Sequence, residues 1–231
     1  MSKFPIINLF PLHDGPSEED IKMFNFAKAK GFPVRPLREN VTISNHKDFL
    51  LHTIKNYSRS GIVFRFREAL PKSSSFQKIK QLTPKLKDVP EVNKYRNTPE
   101  NASLSDVDSE VFEYGFPVES GQVLYHGGSQ EISSKLITTR PLSTTYCPEV
   151  ALWHADNDYR SKGKDNPKPV VWILEIAPCC NKKAVVFRKG GSNMENEYEV
   201  LFGSGLEIIS KKKYTKNCVF GVLTIIEAVV K

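Results

Sequence analysis

The sequence predicts an α+β protein with a helical N-terminal region over residues 1–115 and a β-rich unit over residues 116–231. Two segments before Gly61 carry apolar residues at helical spacing. From Pro71 to Ser105 the composition turns to Lys, Ser, Pro and Asn, which separates the two regions. After Pro117 the chain reads as short β-branched and aromatic runs divided by turn residues.

The first helix is predicted at Ser17-Glu-Glu-Asp20, where a capping hydroxyl precedes acids that favour the positive end of a helix. Ile21, Phe24 and Ala27 follow on one face, and Gly31 ends it. Leu50, Ile54 and Tyr57 mark a second helix that stops between Ser58 and Gly61, and Gly61 to Leu70 reads as either a strand or a short helix. Pro71, Pro84, Pro90 and Pro99 argue for an irregular connection up to Ser105, and Asp108 to Tyr114 reads as a short helix. The predicted strands are Val123 to Tyr125, Val170 to Ile176, Ala184 to Phe187, Val200 to Phe202, Leu206 to Ile209 and Val219 to Val230. One helix interrupts them, opening at Pro148-Glu149 and carrying Val150, Leu152, Trp153 and Ala155, with a proline suited to its first turn.

Composition narrows the function classes. Hydrophobic residues at 39% and charged residues at 26% match an ordinary globular protein, which argues against wholesale disorder. No apolar run approaches the ~18 residues that span a bilayer, and Pro5, Asn8 and Pro11 break up the apolar N-terminus before a signal-like core forms. A cytoplasmic location and no membrane partner are therefore expected. Cys147, Cys179, Cys180 and Cys218 have neither zinc-site spacing nor a disulfide framework, so reduced thiols and no metal are expected. Without a secretion signal, the sequons at Asn40, Asn56 and Asn101 read as chance matches. The net charge of +7 gathers in clusters such as Lys182-Lys183 and Lys211-Lys212-Lys213. Such clusters attract nucleic acid, acidic protein or phosphate, and taken alone they read as solvated turns.

Three motifs carry chemistry. Val123-Leu-Tyr-His-Gly-Gly128 is an apolar strand ending in an imidazole and two glycines, which permit close approach of a backbone or a flat ligand. Pro141-Leu-Ser-Thr-Thr145 sets three hydroxyls before the Trp153 helix, where they brace a polar group or cap that helix. Glu195-Asn-Glu-Tyr-Glu-Val-Leu201 would, by period-two alternation, put Glu195, Glu197 and Glu199 on one face of a strand. Three like charges on one face imply either a solvated edge or a function that compensates their repulsion.

In this order and at these separations the motifs resemble the catalytic core of the mono-ADP-ribosyltransferases, in the group patterned Leu-Tyr-Arg-Gly, Ser-Thr-Ser and Glu-x-Glu. The resemblance runs from about Pro117 to Lys231 and includes the flanks Glu149-Val-Ala-Leu-Trp-His-Ala155 and Glu199-Val-Leu-Phe-Gly-Ser-Gly205. It implies a split β-sandwich core over 116–231, joined with residues 1–115 in one continuous catalytic domain. A chain of this size ending soon after its last strands is similar in style to the transferases of bacteriophages and bacterial effectors. Residues 1–115 carry no resemblance.

The resemblance implies that NAD is the substrate and that no metal takes part. Glu199 would stabilise the ribose as its bond to nicotinamide breaks. Glu197 would orient the acceptor, preferably an arginine side chain of a target protein, since a carboxylate suits a forked cation. Glu195 would lie at the rim. Ser143 would hold the rotamer of Glu199, and Thr144 and Thr145 would support the strand and the nicotinamide pocket. Tyr125, His126 and Gly127 would complete the NAD site. The Arg188-Lys-Gly-Gly-Ser-Asn193 loop would meet the target, while Arg160, Lys162 and Lys164 near the diphosphate read more simply as a solvated loop.

His126 departs from the pattern, standing where the group has arginine. Histidine near neutral pH lacks the permanent forked charge that grips phosphate. The diphtheria-toxin-like and poly-ADP-ribosylating branch has His-Gly at this point, with the imidazole on the adenosine ribose and the glycine backbone on the nicotinamide amide. Two rivals remain open: a degenerate member that binds NAD or a target without chemistry, and a basic nucleic-acid-binding module. The acceptor, whether protein arginine, RNA or water, is not fixed by these residues, and a monomer is expected.

Overall fold

Along the chain, the computed structural model describes residues 2–37, 39–162, 168–187 and 198–231. Its elements are β1 (Leu12–Asp14), α1 (Glu18–Ala29), β2 (Val41–Ile43), α2 (His46–Lys55), α3 (Gly61–Ala69), α4 (Ser74–Leu82), α5 (Pro90–Asn97) and α6 (Leu104–Tyr114). There follow β3 (Phe116–Pro117), β4 (Val123–Gly128), β5 (Lys135–Ile137), β6 (Leu142–Thr145), α7 (Pro148–Lys162), β7 (Val170–Ile176), β8 (Lys183–Val186), β9 (Glu199–Phe202), β10 (Glu207–Cys218) and β11 (Gly221–Val230).

Among the described residues the strands after Tyr114 form a mixed sheet in the order β3-β8-β9-β6-β4-β7-β11-β10-β5. The join between β6 and β4 is one residue pair, Tyr125 with Thr145. The sheet therefore parts there into two leaves, β3-β8-β9-β6 and β4-β7-β11-β10-β5. Alternation of side chains explains how the leaves pack. Val186, Val200 and Phe202 from one leaf share a core with Leu124, Trp172 and Leu174 from the other, and Phe49, Phe66, Phe76 and Ile79 of α2, α3 and α4 join it. The intervening residues face outward under helices. Val185 and Leu201 lie beneath Val92 of α5 and Val107 and Val111 of α6. Tyr125, Val171, Ile173 and Ile225 lie beneath Leu50 and Ile54 of α2 and Ala151, Leu152 and Ala155 of α7.

The α+β architecture is as the sequence predicts, and the two leaves give the split sandwich. Packing crosses the 115/116 boundary, because the helices before it cover both leaves. The helix α1 forms with Ser17 and Asp20 in reciprocal capping bonds. It buries no residue, and Ile21, Met23 and Phe26 stay exposed.

The segment from Pro71 to Ser105 departs from expectation. It holds α4, α5 and three short 3-10 turns, the first opening at Leu70, rather than an irregular connection. Pro90 occupies the first turn of α5, where the missing N–H has no helical partner to lose. The N-terminus of α5 is closed from outside by Glu110, whose carboxylate accepts from the backbone of Glu91 and Val92 at 3.0 and 2.8 Å. Gly61 to Leu70, left between strand and helix, is the helix α3 capped by Ser60.

Candidate active site

Glu199 opens β9, which lies between β8 and β6 and is buried along its length. A solvated edge strand, one of the two readings of the glutamate motif, is therefore excluded for Glu199, which is 6% exposed. Antiparallel pairing sets Thr145 opposite Glu199 and Ser143 opposite Leu201. Ser143 is thus the diagonal neighbour of Glu199 on the same face, and its Oγ donates to Glu199 Oε1 at 2.6 Å.

The carboxylate reaches a cavity of about 90 Å³ at the seam between the leaves, lined by Tyr125, His126, Gly127, Ser143, Thr145 and His154 among others. That volume takes one small group rather than a whole dinucleotide, so the reacting end of a larger ligand would sit in it. Beyond Tyr125 no further β6 residue pairs with β4 among the described residues, leaving the edge of β4 at His126 to Gly128 facing the seam.

His126 lies beside Trp172, with ring centroids 4.8 Å apart. Its Nδ1 is 2.7 Å from the Ser143 carbonyl oxygen. A carbonyl only accepts, so Nδ1 carries the proton. Burial, the largest influence, lowers the pKa of His126, while the Ser143 carbonyl acts the other way. The imidazole is then neutral at pH 7, with Nε2 left as an acceptor. It suits a hydroxyl donor such as a ribose, and not the phosphate grip of an arginine.

Gly127 is fixed by α7. A Cβ there would meet the Ala151 carbonyl oxygen at 1.7 Å, so helix backbone occupies the space a side chain needs. Of the two uses expected for the glycine, close approach of another backbone is the one present. Thr144 also lines the cavity, and its hydroxyl donates to the Val200 carbonyl at 2.8 Å. The Thr145 hydroxyl accepts from the Cys147 backbone at 3.1 Å, just ahead of α7. Tyr125 lines the cavity with its ring, while its hydroxyl donates to the His46 carbonyl at 2.8 Å and ties β4 to α2.

Glu195, Glu197 and the loop from Arg188 to Asn193 lie outside the described residues, as does Lys164. On the described side of that gap, β9 begins at Glu199, and Tyr198 just before it has φ 48°. Tyr198 is held by edge contacts to Phe66 and Phe76. Arg160 pairs with Asp156 at 2.7 Å and is otherwise largely exposed, in keeping with a solvated position.

Arg96 lies outside the three sequence motifs. It projects from α5 so that its Nε is 3.4 Å from Glu199 Oε2, with the two side chains 5% and 8% exposed. Its guanidinium carbon is 4.7 Å from the Phe187 ring centroid. Tyr95, its neighbour, anchors α5 to the start of β6 by donating to the Pro141 carbonyl at 3.0 Å.

Histidines around the site link fold to pH. Burial lowers the pKa of His46 from 6.5 to about 4, and it also lowers those of His126 and His154. The folded protein resists protons that the unfolded chain accepts. Stability is therefore full above pH 6.5 and falls as pH drops toward 4, with His46 alone contributing on the order of 2 kcal/mol after allowance for its partial exposure. Urea midpoints are expected to fall steadily over that window, and a flat profile would contradict the buried neutral histidines.

No family model matches the chain, and no curated protein matches it. Solved structures do. C3larvin toxin, an ADP-ribosyltransferase from Paenibacillus larvae, aligns at 12% identity over 68% of this chain and 94% of its own, with a TM-score of 0.44. Vis toxin, an ADP-ribosyltransferase from Vibrio splendidus, aligns at 16% identity over 78% of this chain and 89% of its own, with a TM-score of 0.41. C3stau2 from S. aureus, solved with NAD, aligns at 15% identity over 76% of this chain and 97% of its own, with a TM-score of 0.43. These are loose likenesses, and the chemistry of the site has to come from its own residues.

Proposed function

We propose that this chain is an NAD-dependent mono-ADP-ribosyltransferase that releases nicotinamide and passes ADP-ribose to an acceptor, preferably a protein arginine. The observation that carries the reading is the Ser143-held carboxylate of Glu199, buried at a seam cavity beside a neutral imidazole. Breaking the bond between nicotinamide and ribose develops positive charge on the sugar ring, as in glycoside cleavage. A carboxylate fixed in a poorly hydrated site meets that charge without having to reorganise.

In this reading His126 Nε2 accepts from a ribose hydroxyl, and the edge of β4 at Gly127 receives the nicotinamide amide. Ser143 keeps Glu199 turned toward the ring, Thr144 and Thr145 hold the strand and its exit into α7, and the Tyr125 ring forms a wall. Glu197 is assigned to the acceptor by resemblance alone, and the preference for arginine rests on it. Residues 116–231 supply the chemistry, and residues 1–115 cover the leaves and contribute to acceptor choice.

The test incubates purified protein with NAD labelled in its adenylate half and a cell lysate. Wild type is expected to label protein that hydroxylamine treatment at arginine linkages releases, and Glu199→Gln to label none. Equal labelling by the two proteins would refute the reading, and label on RNA alone would move the acceptor from protein to RNA.

A further inference from the structure

We infer that Arg96 is a positioning residue for Glu199, holding the carboxylate charged and aimed into the cavity before the substrate enters. This rests on the transferase reading above and adds a residue to it from outside the three motifs. The two carboxylate oxygens have separate holders on separate elements: Ser143 of β6 on Oε1 at 2.6 Å and Arg96 of α5 on Oε2 at 3.4 Å. One holder would leave the carboxylate free to swing about its contact, whereas two set its plane.

Charge gives the second part of the argument. A carboxylate that is 8% exposed has lost most of its hydration, and an isolated one would take up a proton and lose the charge that the reaction uses. The groups facing the cavity offer little compensation. His126 and His154 are kept neutral by burial, and Tyr95 beside Arg96 is a neutral phenol. Arg140 acts on Tyr95 from the β6 side, but the cation within ion-pair distance of Glu199 among the described residues is Arg96. A guanidinium does not discharge at any working pH. It is also held in place, by the Phe187 ring on its face and by the Glu110 and Tyr95 bonds that fix α5.

The experiment measures nicotinamide release by wild type, Arg96→Gln and Arg96→Lys as a function of pH, with thermal midpoints recorded for each. For Arg96→Gln the inference expects kcat at neutral pH to fall about tenfold, KM for NAD to change less than about twofold, and the acid limb of the kcat profile to move up by about one pH unit. Arg96→Lys keeps the charge and is expected to keep the acid limb where wild type has it, a difference that a merely structural arginine would not produce. If Arg96→Gln fails to fold, Arg96→Lys carries the test, and a displaced acid limb in it overturns the inference. An unmoved limb in folded Arg96→Gln also overturns it, as does a faster variant, which would make the arginine a block. An inactive wild type overturns both this inference and the transferase reading, whereas an active wild type with an insensitive Arg96→Gln overturns this inference alone.

Discussion

Replacing Glu199 with glutamine is expected to lower kcat for nicotinamide release about a thousandfold. A unit negative charge about 4 Å from a developing cation, at an effective dielectric near 20, is worth roughly 4 kcal/mol, and that energy corresponds to about three powers of ten in rate. Glutamine keeps the length of the side chain and an oxygen for the Ser143 hydroxyl, so the change removes charge more than shape. It also leaves Arg96 buried without its counter-charge, and a drop in thermal midpoint is expected alongside the loss of rate. Rates are therefore compared below both midpoints, with circular dichroism confirming the fold. Glu199→Asp tests distance separately, since it withdraws the charge by one methylene while preserving it. Turnover of Glu199→Gln within tenfold of wild type would show that the carboxylate is a structural partner of Ser143 and Arg96.

The second large effect is expected from Gly127→Ala, through packing rather than chemistry. The added methyl would overlap the Ala151 carbonyl oxygen at 1.7 Å and its carbon at 2.6 Å, both backbone atoms of α7. No rotamer change relieves that contact, so α7 has to move off the sheet. Overpacking of this kind costs about 3 kcal/mol or more, or a fall of roughly 6–12 °C in Tm for a chain of this size. Val150, Ala151 and His154 would move with the helix, and all three line the cavity. Differential scanning calorimetry checks the result. An unchanged Tm would mean that the approach of α7 to β4 is looser than these distances describe.

Much of the site was legible in the sequence because its parts are local. Glu199 heads a short strand whose apolar neighbours, Val200 to Phe202, read directly as buried β structure, and the hydroxyl motif Ser143 to Thr145 is set beside it by antiparallel pairing of β6 with β9. The alternation that groups Glu199 with Leu201 on the face under α5 is the same alternation that the sequence displays. Tyr198, just before β9, has a left-handed backbone and makes edge contacts with the rings of Phe66 and Phe76. Those contacts are long-range, so nothing near residue 198 announces its backbone conformation.

Arg96 was hidden for a different reason. By composition Pro84, Pro90 and Pro99 signal breaks in regular structure, yet Pro90 and Pro99 each stand at the start of a helical turn. The spacing of Val92 and Tyr95 inside α5 is a helical signal, but a short one within eight polar-rich residues. What stabilises α5 is Glu110, about twenty residues on, and the apolar contact of Val92 with α6 and the sheet. A helix held by such tertiary contacts leaves little trace in its own sequence. The residue that meets the buried carboxylate of Glu199 is delivered by the very stretch whose composition looks least structured.

The most direct measurement is a crystal structure of Glu199→Gln with NAD bound, the substitution serving to keep the dinucleotide intact. The account predicts the nicotinamide ribose in the seam cavity, with a hydroxyl within hydrogen-bonding distance of the side chain at position 199. The nicotinamide amide should lie against the edge of β4, and a second ribose hydroxyl should reach His126 Nε2. NAD bound elsewhere on the molecule, with the seam cavity empty, would contradict it.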